Sequence, residues 1–404
     1  MVNRELLEQK LSDIHLIIKE NYQSENDIGV LGGLSGLALF EFYYSKHLDI
    51  EEPSDIGVEI ISRGISKINN GYGLATFCSG IAGFGWVLDH LNNKEFIELD
   101  NDTLLEPLDS YLSDFMLSEL NNGNYDFLHG SLGCGLYFLK RFKSTHNNEL
   151  RTKYHEKLIR LIELLKDSSE NENSMTKWKS ILDNEKGNEG YNLSLSHGIS
   201  SVINFITRLS LEAEFKPMVE PILKQAIAYV LSFKMNAPEN LSLFPSWITD
   251  SEPIEYQSRI SWCYGDLGIG ITLLQASKAI ESDNLKKDAI EILKHAAKRR
   301  TMETTRIIDA GLCHGSYGNA QIFNRIYQET KISNFQETAL YWIQDGLNKA
   351  VHEDGYAGYK QWGGLEQVWK SELSLLEGVA GIGLSIIDFL STDENSWDEC
   401  LLLS

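Results

Sequence analysis

The stretch SWCYGDLGIGITLL (Ser261–Leu274) decides how the whole chain is read. A Gly-x-x-Gly turn, Gly265 to Gly268, opens a long apolar run, and the same arrangement recurs along the sequence. The other copies are GLSGLALFEF from Gly33, GIAGFGWVLDHL from Gly80, GSLGCGLYFL from Gly130, GISSVINFI from Gly198, GSYGNAQIF from Gly315 and GVAGIGLSIIDFL from Gly378. Their first glycines are 47, 50, 68, 67, 50 and 63 residues apart, a spacing that marks a repeat architecture. The fourth copy departs from the pattern, with Ser201 where the others carry the second glycine. At most copies the glycines need only a structural explanation, a tight loop and close approach of a helix.

Each copy follows a segment of helical period. In NLKKDAIEILKHAAKR (Asn284–Arg299) the apolar residues Leu285, Ala289, Ile292, Leu293 and Ala296 fall on one face. Similar segments begin near Asn3, Asp55, Thr103, Leu150, Pro217 and Phe335. Each repeat therefore reads as helix, glycine turn, helix. One such hairpin cannot bury its apolar face alone, so neighbours must stack. The amphipathic helix suits an outer position and the nearly all-apolar one an inner position. The expectation is an all-α chain, a single domain over residues 1–404. Its seven helical hairpins would form an α/α toroid with inner and outer rings; an open superhelix is the alternative. The wider spacings carry the polar stretches Ser168–Asn192 and Ala237–Ser258. These read as loops or a small inserted subdomain near the ring mouth, where long loops are often functional.

Composition narrows the function classes. The net charge of −22 argues against nucleic acid, whose phosphates call for Lys and Arg. It suits a solvated surface, or an acidic one that attracts a basic peptide. The five cysteines, an odd and sparse set without a secretory signal, suggest reduced thiols in a cytoplasm. No apolar run is long enough to span a membrane. The tail CLLLS is one residue too long for a prenylation box.

Because the repeats align, equivalent positions fall at one end of the fold. Immediately before the first glycine stand Gly32, Ser79, His129, His197, Tyr264, His314 and Glu377; one residue earlier stand Leu31, Cys78, Leu128, Ser196, Cys263, Cys313 and Leu376. Three cysteines and three histidines share this slot. Cys263 and the pair Cys313–His314 lie in adjacent repeats, and two thiolates with one imidazole suit zinc, leaving a fourth position open. The spacing is not that of a zinc finger, and inert core thiols are the plainer alternative. Cys78, Cys134 and Cys400 read as packed thiols, and Glu377 as structural.

The strings SHG, SWCYG and CHGSYGN, in that order on a seven-copy glycine repeat, resemble the lanthionine synthetase C-like family over essentially the whole chain. The resemblance implies an α/α toroid with one zinc. For the bacterial stand-alone members it implies closure of thioether rings in lantibiotic precursors. It places the zinc ligands at Cys263, Cys313 and His314. Further active-site positions fall at Asp126 in NYDFLHG, His197 in LSLSHG, Arg259 in SRISWCYG, and Tyr264. His129 shares the slot of His197 but matches no role in the family.

The implied chemistry is coherent. A thiol attacks as thiolate, and coordination to zinc deprotonates it. Addition to the β-carbon of dehydroalanine or dehydrobutyrine leaves an enolate that needs a proton at its α-carbon. His197 is the candidate general acid, with Asp126 accepting the thiol proton or orienting His197. Arg259 would hold Asp126 or steady negative charge, and Tyr264 would position substrate. Each has a plainer alternative: a turn histidine, a helix N-cap, an ion-pair residue. The expected partners are a dehydrated precursor peptide, a dehydratase and an exporter. The expected location is the cytoplasm, at or near the membrane in a biosynthetic complex. Two alternatives stay open: addition of glutathione to dehydrated proteins, and a non-catalytic peptide-binding scaffold with a structural zinc.

Overall fold

The computed structural model describes residues 3–183, 187–237, 240–364, 366–391 and 395–404. In chain order the helices are α1 (Arg4–Asn21), α2 (Leu34–Leu48), α3 (Glu52–Asn69), α4 (Ile81–Asn93), α5 (Asn101–Asn121), α6 (Ser131–Ser144), α7 (Asn148–Asp167) and α8 (Ile199–Ser210). There follow α9 (Lys216–Leu231), α10 (Asp266–Ala279), α11 (Asp283–Ala296), the short α12 (Met302–Thr305), α13 (Ser316–Thr330), α14 (Ser333–Asn348) and α15 (Val379–Leu390). Every glycine-led run is a helix, and every amphipathic segment expected before it is a helix starting within a few residues of the expected point. The chain divides into two compact units, Met1–Leu104 with Ile307–Ser404, and Leu105–Arg306.

Burial separates the two kinds of helix. In α11 the buried residues are Leu285, Ala289, Ile292, Leu293 and Ala296, the same five that the periodicity selects. In α2 every residue from Leu34 to Tyr44 is buried, Glu41 included. The outer helices begin with side-chain caps where the sequence offers them: Asn3 on α1, Asn147 on α7 and Ser282 on α11 each accept an amide of the first turn. The inner helices α2, α4, α6, α8, α13 and α15 begin instead at an extended glycine with no side-chain cap. The second glycine is needed because the first helical turn lies against its own entry loop. A Cβ on Gly318 would sit 1.9 Å from the Leu312 carbonyl oxygen.

Within the first unit the glycine turns are joined by backbone hydrogen bonds. The amides of Leu312 and Cys313 donate to Leu376 O at 3.0 and 2.9 Å. The Leu376 amide donates to Leu31 O at 2.9 Å, and the amides of Leu31 and Gly32 donate to Cys78 O, both at 3.0 Å. The seventh repeat thus bonds directly to the first. The C-terminal segment is fixed to α13 by Arg325, whose guanidinium reaches Asp398 at 2.6 Å and Asp388 at 2.9 Å.

Among the described residues seven short strands, which no alternating pattern announced, are added to the helices. In the second unit β1 (Glu170–Glu172) and β2 (Met175–Lys177) form a hairpin, while β3 (Ser180–Asp183), β4 (Asn188–Asn192) and β5 (Trp247–Ile248) form an antiparallel sheet in that order. The two polar stretches are therefore a small inserted β element. Residues 184–186 and 238–239 within them lie outside the described residues. Trp178 anchors the element, buried with its indole N–H donating to Leu165 O at 2.7 Å. In the first unit β6 (Gln361–Gly363) pairs with β7 (Val368–Lys370).

A buried ionisable pair sets a pH dependence on this packing. His15 Nδ1 of α1 lies 2.7 Å from Glu41 Oε2 of α2, and its Nε2 lies 3.1 Å from Glu52 Oε2. Burial raises the Glu41 carboxyl from 4.5 to about 7, against the pull of His15. Burial lowers His15, but the hydrogen bond and charge of Glu41 outweigh it, and the imidazole stays above its usual 6.5. Both groups hold a proton to higher pH when folded than when unfolded. Their contribution is full below pH 4.5 and is lost as pH rises through about 7. Thermal melts should therefore show stability falling from pH 5 to pH 8 by on the order of 1–3 kcal/mol from this pair. Glu41→Gln should flatten that slope, and a wild-type slope in the variant would remove the pair as its source.

Candidate active site

In the second unit, four of the sequence-predicted residues meet at the glycine turns. The turn before α8 is built by its own side chains. Asn192 Oδ1 accepts the Ser194 amide at 2.9 Å, Ser194 Oγ accepts the His197 amide at 3.0 Å, and Ser200 Oγ donates to Leu193 O at 2.6 Å. This presents the His197 ring half-buried, with Nδ1 2.6 Å from Asp126 Oδ2. Asp126 comes from the turn before α6. Its other oxygen accepts the amides of Leu128 and His129 at 2.7 and 2.8 Å, which ties the turn itself; the N-cap of α6 is Gly130, not Asp126. Burial pushes the Asp126 carboxyl up, but the hydrogen bond and charge of His197 dominate and hold it below the usual range. Burial likewise pulls His197 down, while the hydrogen bond and charge of Asp126 hold it above its ordinary value.

The turn before α10 adds Cys263 and Tyr264. Its clasp to the preceding repeat is again backbone: the Leu195 amide donates to Cys263 O at 3.1 Å. Gly265 adopts φ +93°, and a Cβ there would lie 2.0 Å from Arg259 O, so only glycine allows this entry into the helix. The buried Cys263 has its sulfur 3.3 Å from Ser261 Oγ, which also accepts the Tyr264 amide at 3.2 Å. Tyr264 Oη accepts from Asn192 Nδ2 at 3.2 Å, and its ring lies 6.3 Å from that of His197. Burial raises the Tyr264 phenol, keeping it a neutral donor. Arg259 is half-buried but is not brought to Asp126: its side chain makes no hydrogen bond or ion pair among the described residues. His129 is exposed beside the pair, its ring roughly parallel to that of His197 at 6.2 Å.

In the first unit, Cys313 and His314 occupy the turn before α13. Asp309 organises this turn. Its Oδ1 accepts the Gly311 amide at 3.2 Å and its Oδ2 the Trp362 amide at 3.0 Å, while Oδ2 lies 3.7 Å from His314 Nε2. A carboxylate beside one ring nitrogen is the usual way a ligating histidine is oriented. Cys313 is partly exposed, whereas Cys78, Cys134 and Cys400 are buried free thiols, as their apolar settings suggested. Burial drives the Cys134 thiol far above its ordinary range. The residues that the sequence reading assigns to a metal are Cys263 in the second unit and Cys313 and His314 in the first. Two soft thiolates and an imidazole fit zinc, and three protein ligands fit a catalytic site.

Sequence reasoning missed the supporting residues Asn192, Ser194, Ser261 and Asp309. The polar Asx and Ser turn residues just before each glycine were the available signal.

Comparison with known proteins converges with this geometry. A nisin biosynthesis protein of Lactococcus lactis subsp. lactis, NisC, is 23% identical over 367 residues, covering 84% of this chain and 80% of its own. The solved structure of nisin cyclase superposes with a TM-score of 0.78 at 18% identity, covering 98% of this chain and 97% of that one. That likeness shows the fold, which is all-α and of the α/α toroid class. The family described as lanthionine synthetase C-like protein matches residues 24–402, and this chain belongs to it.

Proposed function

We propose that this protein closes thioether rings in a dehydrated precursor peptide. It would add cysteine thiols to dehydroalanine or dehydrobutyrine to form lanthionine or methyllanthionine, with one zinc ion held by Cys263, Cys313 and His314. The observation that carries the reading is the Asp126–His197 pair at 2.6 Å, beside the turn of Cys263 and Tyr264, in a chain of this family. Bound zinc would supply thiol activation, lowering the pKa of a coordinated substrate cysteine.

The remaining steps fall to the chain's own residues. The reaction moves one proton, from sulfur to the α-carbon, and forms one C–S bond at the β-carbon. Asp126 accepts from His197 Nδ1, which fixes the tautomer and leaves Nε2 facing the site as the proton carrier. Because Asp126 holds His197 above its ordinary pKa, the imidazole is protonated over a wider range and can act as the acid. Tyr264 accepts from Asn192 and keeps its own proton to donate to the substrate carbonyl, where negative charge develops. Arg259, lacking an internal partner among the described residues, is free to meet that charge or the peptide itself.

The substrate must arrive already dehydrated, so a dehydratase acts before this protein, and an exporter is the natural step after it. No described helix is long and apolar enough to cross a membrane. The proposed place of action is the cytoplasm, beside the membrane-bound parts of such a complex.

Metal content tests the ligand set. Cys313→Ala should lose most of its zinc by elemental analysis and Cys78→Ala should keep it; the reverse result would move the ligands elsewhere. Proton transfer is tested separately. His197→Asn should retain zinc at wild-type stoichiometry while ring closure, followed by mass shifts after thiol blocking, slows by about 10²–10⁴-fold. Full activity would make His197 a turn residue, and loss of zinc would make it a ligand.

A further inference from the structure

Of the eight tryptophans, Trp86, Trp178, Trp262, Trp342 and Trp397 are fully buried, whereas Trp247 is 46% exposed, more than any other. Leaving an indole in water forgoes the burial that its large apolar surface would otherwise contribute. The placement of Trp247 gives that exposure a use. It lies on β5, where it pairs directly with Asn192 of β4. Asn192 is the residue that donates to Tyr264 Oη. The Trp247 ring meets the Tyr264 ring edge-on, 6.2 Å between centroids at 88°. Tyr264 in turn neighbours His197 at 6.3 Å. The rings of His197, Tyr264 and Trp247 thus form a row that starts at the Asp126-held imidazole and ends at an open indole face.

Strand pairing fixes this indole in place. β5 holds it through its pairing with β4, and the Leu193 amide donates to Ser246 O at 3.0 Å immediately beside it. A tryptophan held on a strand is a rigid anchor of the kind that dominates peptide recognition. The 6.2 Å step from Tyr264 to Trp247 is about two residues of an extended peptide, whose side chains share a face at every second position.

Resting on the cyclase reading above, we propose that Trp247 is a specificity-determining residue: its exposed face seats the apolar side chain of the substrate residue two places from the dehydroamino acid. The inserted β4–β5 pair then does two things at once. It positions the Tyr264 hydroxyl through Asn192, and it selects the sequence context of the reacting residue through Trp247. Leu or Phe two places from the dehydroamino acid would cover the indole, and Gly would leave it bare.

Binding and turnover can be measured apart. The probes are two dehydroalanine peptides in which serine replaces the ring-forming cysteine, one with leucine and one with glycine two places from the dehydroalanine. Calorimetry on the zinc-loaded wild-type protein should give about tenfold tighter binding of the leucine peptide. Trp247→Ala should bind both with the affinity of the glycine peptide, while Trp247→Phe should keep most of the preference. Equal affinities for the two peptides in the wild type, or an undiminished preference in Trp247→Ala, would overturn the assignment. Cysteine-containing versions test the underlying reading. If the wild type prefers leucine yet closes no ring, the seat stands and the cyclase reading falls. If rings close with no flank preference, the reading stands and the seat falls. A Trp247→Ala variant that binds as wild type but turns over more slowly would make Trp247 a support for Tyr264 alone.

Discussion

The structure depends on a clasp made entirely by the main chain. Leu376 O takes the amides of Leu312 and Cys313, Cys78 O takes those of Leu31 and Gly32, and Cys263 O takes that of Leu195. In each case the accepting carbonyl belongs to the residue two places before a repeat's first glycine. Buried amides and carbonyls must be satisfied, so this link is obligatory wherever two turns meet out of water. It makes no demand on the side chain of the accepting residue. Leucine at 31 and 376 and cysteine at 78 and 263 serve as acceptors equally. The fold can thus vary the slot without loss of the clasp, and reactive groups can be placed there at little structural cost.

Asp126 shows how closely stability and chemistry are joined at such a slot. One oxygen holds the Leu128 and His129 amides, and the other holds His197 Nδ1. The turn's conformation and the histidine's tautomer therefore rest on the same carboxylate. Burial alone would favour a neutral acid, but the charged imidazole and the two amides keep it ionised. Asp309 repeats the arrangement in the first unit, capping the Gly311 amide while standing beside His314 Nε2. In both turns an acidic residue builds the loop and stands against a histidine ring: Asp126 against that of His197 from the next repeat, Asp309 beside that of His314 in its own turn.

What the sequence made legible follows from period and type. The helices were readable because a 3.6-residue period is imposed by burial on one side, as the five inward residues of α11 show. The glycine turns were readable because steric contact such as that of Gly318 with Leu312 O leaves no room for a side chain. His197, Cys263, Cys313 and His314 stood out because few residue types can do their chemistry. The strands were not readable: at two to five residues each they are too short for alternation to show. For Asp126 two readings stood open, accepting the thiol proton or orienting His197, because its contact with His197 depends on the packing of two turns 71 residues apart. Arg259 was expected to hold Asp126 or to steady negative charge; the side chain that meets Asp126 is His197. Ser201, the one break in the glycine pattern, lies in α8, where its hydroxyl donates to Gly198 O at 2.7 Å, and the turn carrying His197 still forms.

The spacing of the repeats locates where variety enters. The two widest intervals, 68 and 67 residues, lie on either side of the fourth repeat, the one that carries His197. The extra residues of the first form β1 to β4, and those of the second supply β5. The two pair with each other through Asn192 and Trp247, directly against Tyr264. A repeat cannot change its turn without disturbing its neighbours' clasps, whereas a strand pair laid over the turn is free to change. The Asp126–His197 pair is thus held by the repeats, and the surface around Tyr264 is shaped by the element inserted between them.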